Sequence, residues 1–334
     1  MEIFDYTRVQ NAAQAIAAGA KSQTAQQGAN VRFIAGGTTL FDLMKLNVER
    51  PETVVDINHL PLNKIEQTPN GFMIGALVRN SDLAHHPEIV KHYPVLSEAL
   101  LSGASAQLRN RATTGGNLLQ RTRCVYFRDT NTPCNKREPG SGCSAIDGFN
   151  RNLAILGTSE HCIATNPSDM NVALMALDAV VHIKGVKGDR TVPIASFFLL
   201  PGKTPHVETV LQPGDLVTHV SLPALPEGAR SVYLKLRDRA SYEFALSSAA
   251  VVAHVRDGKF DSIGIALGGV GTMPWRAKAA EALLQGTAVD PSRFRSAAEA
   301  VLKEAKPQSQ NGFKVELAAR CLTQALKLAT RSAS

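Results

Sequence analysis

No run in the 334 residues is long and apolar enough to span a membrane. The longest apolar stretch, Met170 to Val181, is broken by Asn171 and Asp178, where about 20 consecutive apolar residues are needed. The N-terminal MEIFDYTRVQ has no basic segment leading into an apolar one. The sequence therefore predicts no secretory leader of its own, and cytoplasmic residence unless a signal-bearing partner exports it. Internal repeats and low-complexity tails are absent, and none of the five cysteines forms a CxxC pair. Zinc sites usually contain at least one such pair.

What is present is ordinary globular composition, 44% hydrophobic and 19% charged, which excludes global disorder. The length allows two or three compact units. The formal charge of +7 comes from 36 basic and 29 acidic residues spread along the chain. The one dense basic stretch, Arg109 to Arg128, also holds glycines and a cysteine. It reads as an anion or cofactor site rather than a nucleic-acid surface.

Residues 1–60 read as a small α/β unit: a helix from about Val9 to Ala18, a strand Val31 to Ala35, a Gly36–Gly37 turn, a short amphipathic helix carrying Leu40, Leu43 and Met44, and a strand Thr53 to Ile57. Residues 61–212 form a second unit, with a strand at Phe72 to Ile74 and a helix at Pro94 to Leu101. A glycine-containing loop follows from Arg109 to Asn117. Ser168 caps a helix from Asp169 to Leu177, and a strand runs from Ala179 to Lys184. Within this unit, residues 120–163 show little apolar periodicity, and a loop that long is functional or held by something other than a core. Pro201 to Pro213 reads as a linker. Residues 213–334 then place four strands before three helices, the pattern of an α+β domain.

Two loops carry phosphate-site chemistry. The segment Arg32-Phe33-Ile34-Ala35-Gly36-Gly37-Thr38-Thr39-Leu40 ends a strand and opens a helix. Free N–H groups and the helix dipole favour an anion there, and paired glycines let the backbone approach it. It matches neither GxGxxG nor GxxxxGK[ST]. The second loop, Thr113-Thr114-Gly115-Gly116-Asn117, repeats the combination behind Arg109 and Arg111. Either loop alone is equally well a plain turn; two together point to a dinucleotide.

Four cysteines, Cys124, Cys134, Cys143 and Cys162, are spaced C-x9-C-x8-C-x18-C. An iron–sulfur cluster, zinc, and disulfides or unrelated thiols all remain open on spacing alone. Cys321, in the last helix, reads as an inert buried thiol.

FIAGGTTLFDLMK, LRNRATTGGNLLQ and NPSDMNVALMALDA resemble, in this order, the FAD-binding motifs of the flavin subunits of molybdenum hydroxylases. That family includes the medium subunit of carbon monoxide dehydrogenase and the central domain of xanthine dehydrogenase. RTRCVYFRDTNTPCNKREPGSGCSAIDGF resembles a narrower group, typified by periplasmic aldehyde oxidoreductase, whose extra loop carries a 4Fe–4S cluster. The similarity extends through KLRDRASYEFALSSAAV and the GGV-x3-PWRA motif, Gly268 to Ala277. Two departures are mild: Thr39 stands where asparagine is usual, and Gly115–Gly116 replaces Ala-Gly.

The resemblance implies a vanillyl-alcohol-oxidase-like (PCMH-type) FAD fold in two subdomains plus a smaller α+β C-terminal domain. It implies that Arg32 to Leu40 wrap the FAD pyrophosphate and ribityl chain, and that Thr113, Thr114, Gly115 and Asn117 contact the diphosphate from the other side. Asp169 would meet the ribityl or ring-proximal region and Lys235 the pyrimidine edge, where a cation stabilises reduced flavin. Cys124, Cys134, Cys143 and Cys162 would ligate the 4Fe–4S cluster. The implied partners are a large molybdenum-cofactor subunit, a small 2Fe–2S subunit and a terminal electron acceptor, with no nucleic acid and no membrane insertion. The implied role is electron transfer within an aldehyde oxidoreductase, with no general acid–base pair on this chain. Two rivals have distinct signatures. A stand-alone flavin reductase would not need the cysteine-rich loop, and a zinc-stabilised basic module would be colourless and bind DNA in a salt-dependent way.

Overall fold

The computed structural model describes residues 1–331. Its N-terminal sheet has three parallel strands, β1 (Asp5–Arg8), β2 (Val31–Ile34) and β3 (Thr53–Asp56), in the order β1-β3-β2. Both crossovers are helical, Ala12–Gly19 and Leu40–Lys45. The first begins at Ala12 rather than Val9 because Asn11 caps it, its side chain accepting the Gln14 N–H at 2.9 Å. Ala35 to Thr39 thus sit at the C-terminal end of a parallel strand, where α/β sheets receive ligands.

The middle sheet is antiparallel throughout. Its strands are β4 (Ile65–Thr68), β5 (Gly71–Gly75), β6 (Val180–Gly185), β7 (Gly188–Pro193) and β8 (Leu216–Pro223), in the order β4-β5-β8-β6-β7. Strand β8 lies between β5 and β6, so this unit continues past residue 213 to Pro223. The expected linker is packed in place: the Gln26 amide donates to the carbonyls of Thr209 and Leu211 at 3.0 and 2.9 Å. Helix Asp169–Ala176 is buried at every position, and its polar Asn171 side chain donates to the Leu118 carbonyl at 3.1 Å. The Ser168 hydroxyl caps it by accepting the Asn171 N–H at 3.1 Å. The expected loop from Arg109 to Asn117 is instead the end of a helix, Ala106–Arg111, followed by a single turn, Thr114–Leu118. The Ser105 and Thr113 hydroxyls cap the two, accepting N–H groups of Leu108 and Gly116, and the caps outweigh the helix-breaking tendency of the glycines.

The C-terminal sheet has strands β9 (Arg230–Leu236), β10 (Ser247–Arg256), β11 (Lys259–Gly268) and β12 (Trp275–Arg276), in the order β12-β11-β10-β9. Helices Lys278–Leu284, Phe294–Leu302 and Phe313–Thr330 follow. Successive side chains of a strand face opposite ways, and β10 uses both faces. Ala250 and Val252 join the core of the middle unit, while Ala249, Val251 and Ala253 join that of the C-terminal helices. One strand therefore fuses two cores. Residues 120–163 contain only two single-turn helices, Val125–Arg128 and Ser144–Asp147. They close over a small core of Phe127, Leu153, Ile163 and the buried cysteines, joined by Leu43 and Val48 of the N-terminal unit.

Candidate functional site

The two Gly-Gly loops face one another across a cleft of about 220 Å³. Residues Arg32 to Leu40 form one wall, Thr113, Gly115 and Gly116 the other, and Leu211 to Val217 close the end. Gly36 is packed so tightly that a Cβ there would run into the carbonyl oxygen of Arg111, and Gly37 adopts φ +75°. At Gly116 a Cβ would meet only the Thr113 Oγ1, at 3.0 Å, so that position opens toward the cleft. Among the described residues, the N–H groups of Gly36, Gly37, Thr38 and Thr39 have no hydrogen-bond acceptor. The Thr114 hydroxyl is committed to the Val78 carbonyl at 3.2 Å, and Thr114 does not line the cleft. Asn117 lies behind it, its Oδ1 accepting from the Ser168 hydroxyl at 2.8 Å.

Arg32 is a structural member of the wall: its Nε and Nη2 donate to the two Glu49 oxygens at 2.9 Å each. Glu49 is buried and also accepts from Arg121 Nη1 at 2.6 Å. The Arg121 Nη2 is buried with no hydrogen-bond partner among the described residues, and Arg121 lines the cleft. An orphaned guanidinium N–H beside free backbone N–H groups fits a phosphate-bearing ligand. Sequence reasoning did not single out Arg121, Glu49 or Leu211, although Arg121 lies in the one dense basic stretch.

Asp169 and Lys235 are brought to each other, away from this cleft. Lys235 Nζ donates to Asp169 Oδ2 at 2.8 Å and to the Ser102 carbonyl at 3.0 Å. The Tyr233 hydroxyl donates to Asp169 Oδ1. Burial and the Asp169 carboxylate push the Tyr233 phenol well above its ordinary range. Asp169 lines a separate polar cavity of about 180 Å³ together with Arg123, Asp238 and Glu243.

The four loop cysteines converge. Cys124, Cys134, Cys143 and Cys162 line one small cavity, and all are free thiols. The Ala164 N–H donates to the Cys162 sulfur at 3.5 Å. Burial pushes the Cys124 thiol up to about 12 and raises Cys143 and Cys162 as well. As bare thiols Cys124, Cys143 and Cys162 are therefore neutral at pH 7, and a metal would have to displace their protons. Among the described residues no group of three or more His, Cys, Asp and Glu side chains is arranged around a single ion. Cys321 stands apart in the C-terminal core, its thiol pushed up to about 12 by burial.

Residues 2–225 match the family described as the FAD binding domain in molybdopterin dehydrogenase. Residues 232–329 match the CO dehydrogenase flavoprotein C-terminal domain. The chain belongs to the FAD-binding subunits of the molybdenum hydroxylases. It is 51% identical, over 98% of both chains, to the aldehyde oxidoreductase FAD-binding subunit PaoB of Escherichia coli (strain K12). It is 28% identical, over 84% of this chain and 83% of the other, to the glyceraldehyde dehydrogenase medium chain of Sulfolobus acidocaldarius. The carbon monoxide dehydrogenase structure from Hydrogenophaga pseudoflava superposes with a TM-score of 0.77 at 26% identity, covering 98% and 97% of the two chains. As an FAD-binding subunit of this family the chain is part of an oxidoreductase, and the cleft between the Gly-Gly loops supplies donors suited to a dinucleotide. Among the described residues no helix is long and apolar enough to cross a membrane.

Proposed function

We propose that this flavin subunit serves a molybdenum-dependent aldehyde oxidoreductase. In this reading electrons arrive from the 2Fe–2S clusters of a small partner subunit, substrate is oxidised on a large molybdenum-cofactor subunit, and a terminal acceptor is reduced. Its FAD lies along Arg32 to Leu40 and against Thr113 and Gly115, a wall that Thr114 and Asn117 back from behind, with Asp169 and Lys235 toward the ribityl and ring end. Cys124, Cys134, Cys143 and Cys162 hold a 4Fe–4S cluster. Bound FAD supplies one- and two-electron chemistry and the cluster one-electron transfer. The chain's own residues bind, orient and insulate: the glycine loops and Arg121 offer N–H donors, and the buried lobe excludes water from the thiolates.

The observation that carries this reading is the gathering of four distant cysteines into one cavity of a lobe with few apolar side chains of its own. That lobe adjoins the flavin cleft. Thiolate–iron bonds would supply the constraint that burial does not. The 51% identity to an aldehyde oxidoreductase subunit supports the substrate class.

The test is co-expression with molybdenum and 2Fe–2S partner subunits. A stable complex that oxidises aldehydes is expected, with the lone chain showing negligible turnover. Robust aldehyde oxidation by the isolated chain would overturn the assignment. Acid precipitation should release FAD into the supernatant, since neither loop offers a His, Cys or Tyr for covalent attachment. FMN, or no flavin from folded protein, contradicts the placement.

A further inference from the structure

A largely buried chain of ion pairs, with Glu208 its most exposed member, continues from the flavin cleft into the cysteine lobe. From Glu49 it passes to Arg121, whose Nε faces the Glu208 carboxylate. Glu208 accepts from Lys136 Nζ at 2.9 Å, and Lys136 also donates to the Pro205 carbonyl at 2.9 Å. Arg121 and Lys136 both line a second cavity, continuous in its walls with the cleft, and Cys162 lines it too. The Arg121 guanidinium also stacks on the Phe127 ring, 4.9 Å from its centre, and Phe127 packs in the same small core as Cys124.

Burial raises the Glu208 carboxyl, but Arg121 and Lys136 outweigh that and hold it below its ordinary range. The relay counts three cations, Arg32, Arg121 and Lys136, against two carboxylates, Glu49 and Glu208. It therefore presents one uncompensated positive charge between an anionic dinucleotide and four thiolates. Removing one partner of a largely buried pair strands the other, so a change at either end of the relay has a cost at Glu208.

We propose that the relay Arg121–Glu208–Lys136 couples FAD binding to assembly of the cysteine lobe, so that each cofactor site is formed fully only when the other is. Arg121 and Lys136 are positioning residues in this scheme, one at each site. The inference rests on the reading of the lobe as an iron–sulfur site. Coupling free energies are reciprocal, so FAD removal must also weaken the affinity of the lobe for its iron.

The experiment measures FAD affinity by flavin fluorescence on iron-replete protein and on the same protein stripped of iron by a chelator, for wild type and Glu208→Gln. Wild type should lose affinity on iron loss by about 5- to 150-fold, the usual range of allosteric coupling. In Glu208→Gln the two affinities should agree within about threefold, with the relay cut at its centre. If Glu208→Gln does not fold, Lys136→Gln severs the same link from the lobe side and must give the same result. Equal affinities in wild type, or a full ratio retained in the folded variants, would overturn the coupling while leaving the cluster in place. Native protein devoid of iron and sulfide would overturn both.

Discussion

Replacing Lys235 by Met tests the buried Lys235–Asp169 pair. Both side chains are almost inaccessible, 3% and 8% exposed, so the pair exists without the screening that makes surface ion pairs weak. Lys235→Met leaves Asp169 with the Tyr233 hydroxyl alone. Asp169→Asn leaves the Lys235 ammonium on the Ser102 carbonyl. Stranding one member of a buried pair costs about 3–5 kcal/mol. At roughly 2–4 °C per kcal/mol for a domain of 150–250 residues, that is a fall in Tm of roughly 6–20 °C. The double variant should cost less than the sum by about 0.5–3 kcal/mol, the coupling range of residues in contact. Thermal unfolding by circular dichroism at saturating FAD reads all three. Single variants costing under about 1 kcal/mol, or strict additivity, would refute the pairing argument. A role at the flavin edge has a further signature: Lys235→Met should lower the potential of the bound flavin, because a cation favours its reduced, anionic form.

Other outcomes follow from single contacts. Gly36→Ala should cost about 1–3 kcal/mol of stability by overpacking against the Arg111 carbonyl. Gly116→Ala should instead spare stability and weaken FAD, and a melt with a flavin titration separates the two. Burial brings the fully enclosed Lys314, whose Nζ donates to the Gly269 carbonyl at 2.7 Å, from 10.5 down to about 7. The folded state therefore binds fewer protons than the unfolded state between those values, and stability should rise with pH across that window. At about 1.4 kcal/mol per pH unit the bound is about 5 kcal/mol. Lys314→Met should flatten the slope and be the more stable protein at pH 6; an unchanged slope in urea titrations would contradict this. Cys321→Ser should leave metal content unchanged, whereas serine at any of the four lobe cysteines should lower it.

The parts of the fold legible in the sequence are those governed by local patterns. Ser168 before an apolar run announces the buried helix, and the strand–Gly36–Gly37–helix order announces the cleft wall. Positions set by long-range packing were not legible. Nothing local in Leu216–Pro223 says that it slots between β5 and β6, and the Pro/Gly-rich run before it looks like a spacer although Gln26 pins it. The turn Thr114–Leu118 was hidden because its glycines read as breakers, while its cap lies in a single hydroxyl. Arg121 escaped for a related reason. Its partners Glu49 and Glu208 lie far off in sequence, and only the fold brings both carboxylates and a cation to one guanidinium. Asp169 and Lys235 were expected at the cofactor, and what the sequence could not convey is that they bond each other.

The most direct test of the account is the content of iron, acid-labile sulfide, zinc and FAD per chain in protein purified without oxygen. The account predicts about four irons and four sulfides, one FAD and no zinc, with iron lost when Cys124, Cys134, Cys143 or Cys162 becomes serine. Stoichiometric zinc without sulfide would contradict it.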